Sequence, residues 1–210
     1  MDTLLGLVII AIAVWWFFFR SAKKAKTSIV KSVPATFIVF DFETTGLSAA
    51  TDQIIEIGAI RVNQGSNEHQ TFQSFVKPDR PISAETTRLT GITQAMIDES
   101  GREISELLPD FREFVGDHLM VAFNSSFDRS FLAAACEKAQ LPMFPNKMDC
   151  ALKKARQAFP GLKSYRLIDL AKKGNLTLEG QHRALGDSQR AMIVYLSAMQ
   201  ALEQARKSKG

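Results

Sequence analysis

The sequence predicts a mixed α/β domain, a central mixed sheet with helices on both faces, standing behind an N-terminal transmembrane helix. Three observations predict it. Two apolar, β-branched and aromatic runs, at 37–42 and 53–63, read as neighbouring strands near the start of the domain. Segments of helical period then alternate with a further short apolar strand, the order expected of a mixed sheet covered by helices. Ahead of both lies TLLGLVIIAIAVWWFFF, residues 3–19, with no charged side chain.

A helix over that apolar run would span about 26 Å, near the lower limit for a hydrocarbon core of roughly 30 Å. Asp2 precedes it, while Arg20, Lys23, Lys24, Lys26 and Lys31 follow it. That is the reverse of a cleaved leader, whose positive charge comes first. Trp15, Trp16 and the three phenylalanines sit at the basic end, as an interfacial belt would. The expectation is a single-pass anchor over 1–20, a basic juxtamembrane linker over 21–34 and a domain over 35–205. The excess of positive charge then places the domain in the cytoplasm. Five of the 26 Lys and Arg and one of the 22 Asp and Glu precede residue 32, which leaves 21 of each for the rest. The basic pI of about 9.1 thus belongs to the linker and says nothing of nucleic acid. Two cysteines, Cys136 and Cys150, exclude a disulfide framework and fit a reducing compartment.

Along the domain, 64–67 reads as a hairpin connection and 68–76 as the antiparallel partner of the second strand, ended by Pro78 and Pro81. Short helices follow over 83–89 and 93–99, parted by a turn at Gly91. Residues 102–115 carry apolar side chains at helical spacing, with Pro109 predicting a bend or a break. A strand over 118–123 leads through Asn124 into a helix over 127–139, which Ser125 or Ser126 can cap. Helices over 149–158 and 165–173 come next, the second stopped at Gly174-Asn175. A long last helix begins near Ala184 and continues past Leu202.

The chemistry concentrates in FIVFDFETTGL, residues 37–47. Residues two apart on a strand share a face, so Asp41 and Glu43 project together where Thr44-Thr45-Gly46 breaks the ladder. Two like charges set into a buried strand are costly unless cations neutralise them, and such oxygen ligands suit Mg²⁺ or Mn²⁺. Asp128 stands in the first turn of a helix that follows a strand. His182 precedes the last helix, and Asp187 lies about a turn inside it. Four carboxylates and one histidine, each at a strand end or a helix start, can converge on one pocket.

The motifs DFETTGL, NSSFDRSFL and HRALGD resemble the three exonuclease motifs of the DEDDh (DnaQ-like) 3′→5′ exonucleases, a family that includes the epsilon proofreading subunit of bacterial DNA polymerase III. The resemblance covers about 36–200 and leaves the apolar N-terminus outside it. It implies a ribonuclease H-like fold and a hydrolase that removes nucleotides from 3′ ends, releasing 5′-monophosphates. It implies two Mg²⁺ or Mn²⁺ ions held by Asp41, Glu43, Asp128 and Asp187, with His182 taking the proton from the attacking water. The His-x4-Asp spacing sets this branch apart from relatives with a tyrosine base. Thr44, Thr45, Gly46 and Leu47 would hold the terminal nucleotide, Asn124 would line the substrate site, and Glu56 would meet the 3′ hydroxyl. Many members have histidine before the motif's asparagine where this chain has Phe123, which can stack on a base. The partner implied is nucleic acid with a free 3′ end, single-stranded DNA before RNA. A polymerase partner follows by analogy only, and membrane contact through the N-terminal helix. A non-catalytic nucleic-acid scaffold at the membrane is the rival from another class; its hallmark, a lost carboxylate, is absent.

Overall fold

The computed structural model describes residues 29–177 and 182–208. Five strands form one sheet in the order β3-β2-β1-β4-β5: β1 Thr36–Thr44, β2 Ile54–Asn63, β3 Gln70–Phe75, β4 Met120–Ala122 and β5 Met148–Cys150. β1, β2 and β3 pair antiparallel, while β4 runs parallel to β1 and β5 parallel to β4. The sheet is therefore mixed, as expected.

Seven helices are described: α1 Ala84–Thr90, α2 Gln94–Ser100, α3 Ile104–Val115, α4 Ser125–Lys138, α5 Ala151–Ala158, α6 Leu167–Lys173 and α7 Ala184–Lys207. The alternation along β1 sorts them onto the two faces. Ile38, Phe40 and Phe42 pack with Leu107, Leu108 and Phe111 of α3 and with Phe131 and Leu132 of α4. Phe37 and Val39 point the other way, onto Ala191, Tyr195 and Met199 of α7. Asp41 and Glu43 continue that second series, so both carboxylates rise on the α7 side.

Several local expectations change. The anchor expected over 1–20 lies outside the described residues, as does the linker up to residue 28. Among the described residues no helix is long and apolar enough to cross a membrane. The fold class is corrected accordingly to an α/β domain with no membrane-spanning helix among the described residues, and the membrane localisation is withdrawn with it. The expectation rested on hydropathy and flanking charge, which describe partitioning, and on a run at the short limit of a bilayer span. The core also reaches back before residue 35. Val30 and Val33 are buried, held by the Gln64 side chain, which accepts from the Val30 N–H at 2.7 Å and donates to the Val33 and Pro34 carbonyls at 3.0 and 2.9 Å.

Pro109 does not break α3, which runs as one helix of 12 residues. Pro109 and Ser105 both lie on its exposed side, where water can satisfy the carbonyl that proline leaves without a donor. α4 starts two residues early, at Ser125, behind Asn124. Neither serine caps it; the Ser126 hydroxyl bonds the Asn124 side chain instead, at 3.1 Å. β5 was not anticipated. Its three residues are too few for a period, and only its ladder to β4 defines it.

The contact that places the last helix is made at Gly58 of β2, directly opposite Asp41. A Cβ there would lie 2.2 Å from the Leu185 nitrogen and 2.3 Å from the Ala184 carbonyl carbon. The first turn of α7 thus rests on bare backbone, and Ser188 Oγ donates to the Gly58 carbonyl at 3.0 Å. Gly58→Ala is expected to lower unfolding free energy by about 2 kcal/mol or more, the scale of overpacking a filled site. Chemical denaturation of the variant beside the parent chain measures this.

Candidate active site

Three elements deliver the carboxylates to the end of β1. Asp41 and Glu43 come from the strand itself, just before a bulge at Glu43/Thr44 that ends its regular pairing. Asp128 comes from the first turn of α4 and Asp187 from the first turn of α7. Ligand oxygens of Asp41, Glu43 and Asp187 all lie within 4.8 Å of one another. Asp128 is 2% exposed, and its Oδ1 is buried without a hydrogen-bond partner.

So many like charges at one point move their own protonation. Asp41 is pushed well above the ordinary carboxylate range, first by burial, then by Asp128, Glu43, Asp187 and Glu56. Glu43 rises to about 8, first through burial and then through Asp187 and Glu56, with Arg183 opposing them. Asp128 rises to about 7 because it is buried, against backbone hydrogen bonds from its own residue and from Phe42. An acidic cluster that resists ionisation and holds an orphaned carboxylate oxygen suits bound divalent cations.

The loop after β1 is stapled in place. The Asp52 carboxylate accepts from the Thr45 hydroxyl at 3.4 Å and the Ser48 N–H at 2.9 Å. A Cβ on Gly46 would fall 2.5 Å from that same carboxylate, so a side chain there would displace Asp52 from the loop it ties. Thr44 Oγ1 donates to the Gly46 carbonyl at 2.6 Å, and Thr86 of α1 donates to the Thr45 carbonyl at 3.3 Å. Leu47, at the tip, is 88% exposed. Asn124 is exposed at the end of β4. Phe123 beside it is half-buried, packed toward the clusters of Tyr195 and of Leu170.

Glu56 sits directly across from Glu43 and is fully buried. Its oxygens accept from Arg183 Nη2 at 2.7 Å, Gln73 Nε2 at 2.8 Å and the Ala184 N–H at 2.9 Å. It therefore anchors the entry to α7. His182 is exposed, in a left-handed conformation with φ 56°, and its N–H donates to Asp187 Oδ2 at 3.1 Å. The sequence reading missed Gly58, Arg183 and Arg190. Arg190 stands three residues after Asp187, a helical spacing that could have flagged it; the partner of Arg183 is 127 residues away and carries no such signal.

A match to the exonuclease family (RNase_T) spans residues 38–195. The chain belongs to the DnaQ-like exonucleases. The matched family is one of exonucleases. The chain is 43% identical over 155 residues to a PolC-type DNA polymerase III of Listeria innocua, and 38% over 165 residues to that of Bacillus subtilis. These matches take in 74% and 78% of the chain but only 11% of each relative, so it spans about a tenth of their length. Among solved structures, Exonuclease X in complex with 5′-overhanging duplex DNA is 30% identical, with TM-score 0.60 over 76% of this chain and 90% of that one. E. coli Exonuclease I with a dT13 oligonucleotide shares the fold at 18% identity, TM-score 0.72, over 83% of this chain and 43% of that one.

The raised carboxyls give a signed expectation. In the metal-free fold Glu43 and Asp128 keep protons that the unfolded chain has released above the ordinary values of 4.5 and 3.8. That contribution to stability is full below those values and is lost as pH rises through about 7 and about 8. In EDTA, the melting temperature is expected to fall between about pH 5 and about pH 8. Glu43→Gln should flatten the fall, and Mn²⁺ should restore the melting temperature of the parent chain at the alkaline end. Calorimetric scans across that range check all three.

Proposed function

We propose that this chain is a 3′→5′ exonuclease that hydrolyses single-stranded DNA from its 3′ end, releasing nucleoside 5′-monophosphates. The observation that carries the reading is the meeting of Asp41, Glu43 and Asp187 oxygens within 4.8 Å, beside the buried, unpartnered Oδ1 of Asp128. These four side chains would hold two Mg²⁺ or Mn²⁺ ions. Such ions supply Lewis-acid chemistry, neutralising the scissile phosphate and making water a better acid.

The chain's own groups do the rest. His182, exposed at the rim with its backbone tied to Asp187, accepts the proton of the attacking water. The loop of Thr44, Thr45 and Gly46, rigid through Asp52, receives the terminal nucleotide, and exposed Leu47 wedges against its base. Asn124 and Phe123 line the strand's approach. Glu56, fully buried beside Glu43, holds the start of α7 through Arg183 and the Ala184 N–H. DNA is favoured by the polymerase relatives and by the DNA in the Exonuclease X complex. A 3′-exonuclease that recognises a histone mRNA stem-loop shares the fold with TM-score 0.70, which keeps RNA as the second reading. A polymerase partner rests on the PolC relatives alone.

The test is cleavage of a 5′-labelled single-stranded DNA oligonucleotide by the full chain, with Mg²⁺ or Mn²⁺ against EDTA, beside RNA of the same sequence. A metal-dependent ladder shortening from the 3′ end is expected, stronger on DNA. Asp41→Ala should abolish it, and His182→Ala should lower kcat by roughly 10²–10⁴-fold. A folded, metal-loaded chain that shortens neither oligonucleotide would overturn the reading.

A further inference from the structure

Arg190 is 3% exposed, two turns into α7, and takes no part in the chemistry described above. Its Nε donates to Asp187 Oδ1 at 2.9 Å, and its Nη2 pairs with the same oxygen at 2.8 Å. Its Nη1 donates to the Thr177 carbonyl at 3.3 Å. The remaining oxygen of Asp187 accepts the His182 N–H. One guanidinium thus joins the chain before residue 178, the carboxylate that faces Asp41 and Glu43, and, through that carboxylate, the backbone of His182.

We infer that Arg190 is a positioning residue, which orients Asp187 toward its neighbouring carboxylates and sets the backbone of His182 through it. The inference rests on the roles of Asp187 and His182 under the proposed function. An exposed arginine–aspartate pair one turn apart on a helix would contribute little and could adopt many geometries. This pair is withdrawn from water, where both nitrogens of a planar guanidinium edge meet Asp187 Oδ1 and hold that oxygen in place. With Oδ1 so held, Oδ2 is the oxygen left for His182. A lysine ammonium keeps the charge but cannot span Asp187 and Thr177 with fixed geometry. Arginine is therefore required for its shape.

The experiment compares the full chain with Arg190→Gln and Arg190→Lys in three measurements: Mn²⁺ affinity by calorimetry, kcat and KM on a single-stranded DNA oligonucleotide, and melting temperature. Partners that orient metal ligands typically govern 10–100-fold in affinity or activity. Arg190→Gln is expected to lose about that much in both Mn²⁺ affinity and kcat, with KM within about twofold. Arg190→Lys is expected to restore the melting temperature but neither Mn²⁺ affinity nor kcat. Parent-like Mn²⁺ affinity and kcat in both variants would overturn the inference, as would full recovery of both by lysine, since charge alone would then suffice. If the glutamine variant does not fold, the lysine variant decides. A parent chain that binds Mn²⁺ without cutting DNA would count against the proposed function, and Mn²⁺ affinity would still decide the role of Arg190.

Discussion

The close approach of α7 to Gly58 is the constraint on which the site depends. A helix can lie with its first turn directly on a strand only where the strand has no side chain, and Gly58 provides that directly opposite Asp41. Glu56, two residues earlier on the same face, then captures the incoming chain through Arg183 and the Ala184 N–H. With the start of α7 located, Asp187 is carried to the end of β1 and His182 to its rim. On the opposite face, α4 is held by Phe131 and Leu132 against Phe40 and Phe42, which brings Asp128 to the same strand end.

What gathers there is unfavourable by itself. Three carboxyls pushed upward in pKa and one orphaned oxygen mean that the bare fold works against its own electrostatics. The surroundings offset part of this. Arg183 opposes the charge around Glu43, and Arg190 grips Asp187. The remainder is the affinity that a divalent cation would meet, so local instability and cation binding share one physical origin. Local rules of good packing are commonly broken at functional sites, and here the break is confined to one edge of an otherwise apolar core.

Much of this was legible beforehand because its signal is local. The period of β1, the hairpin pattern of β2 and β3, the short helices over 83–89 and 93–99, and the start of α7 at Ala184 each follow from residues within a few positions of one another. The carboxylates were legible for the same reason: a charge in an apolar strand, or one turn inside a helix, stands out against its neighbours. What misled was also local. Pro109 predicted a break that an exposed helix face tolerates, and Ser125 and Ser126 offered a cap that Asn124 displaced. The apolar run at 3–19 suggested a membrane-anchored fold that the described helices do not support.

The sequence by itself determined the mixed α/β domain and the strand that bears Asp41 and Glu43, since both rest on periodicity; the membrane helix it also predicted finds no support among the described residues. Only the tertiary structure decided that Glu56 anchors a helix, that Gly58 is the seat of α7, and that Val30 and Val33 belong to the core. The reason is separation along the chain. Glu56 meets Arg183 across 127 residues and Gln64 meets Val30 across 34, and pairings at such distance leave no spacing to read until the sheet has brought their elements together.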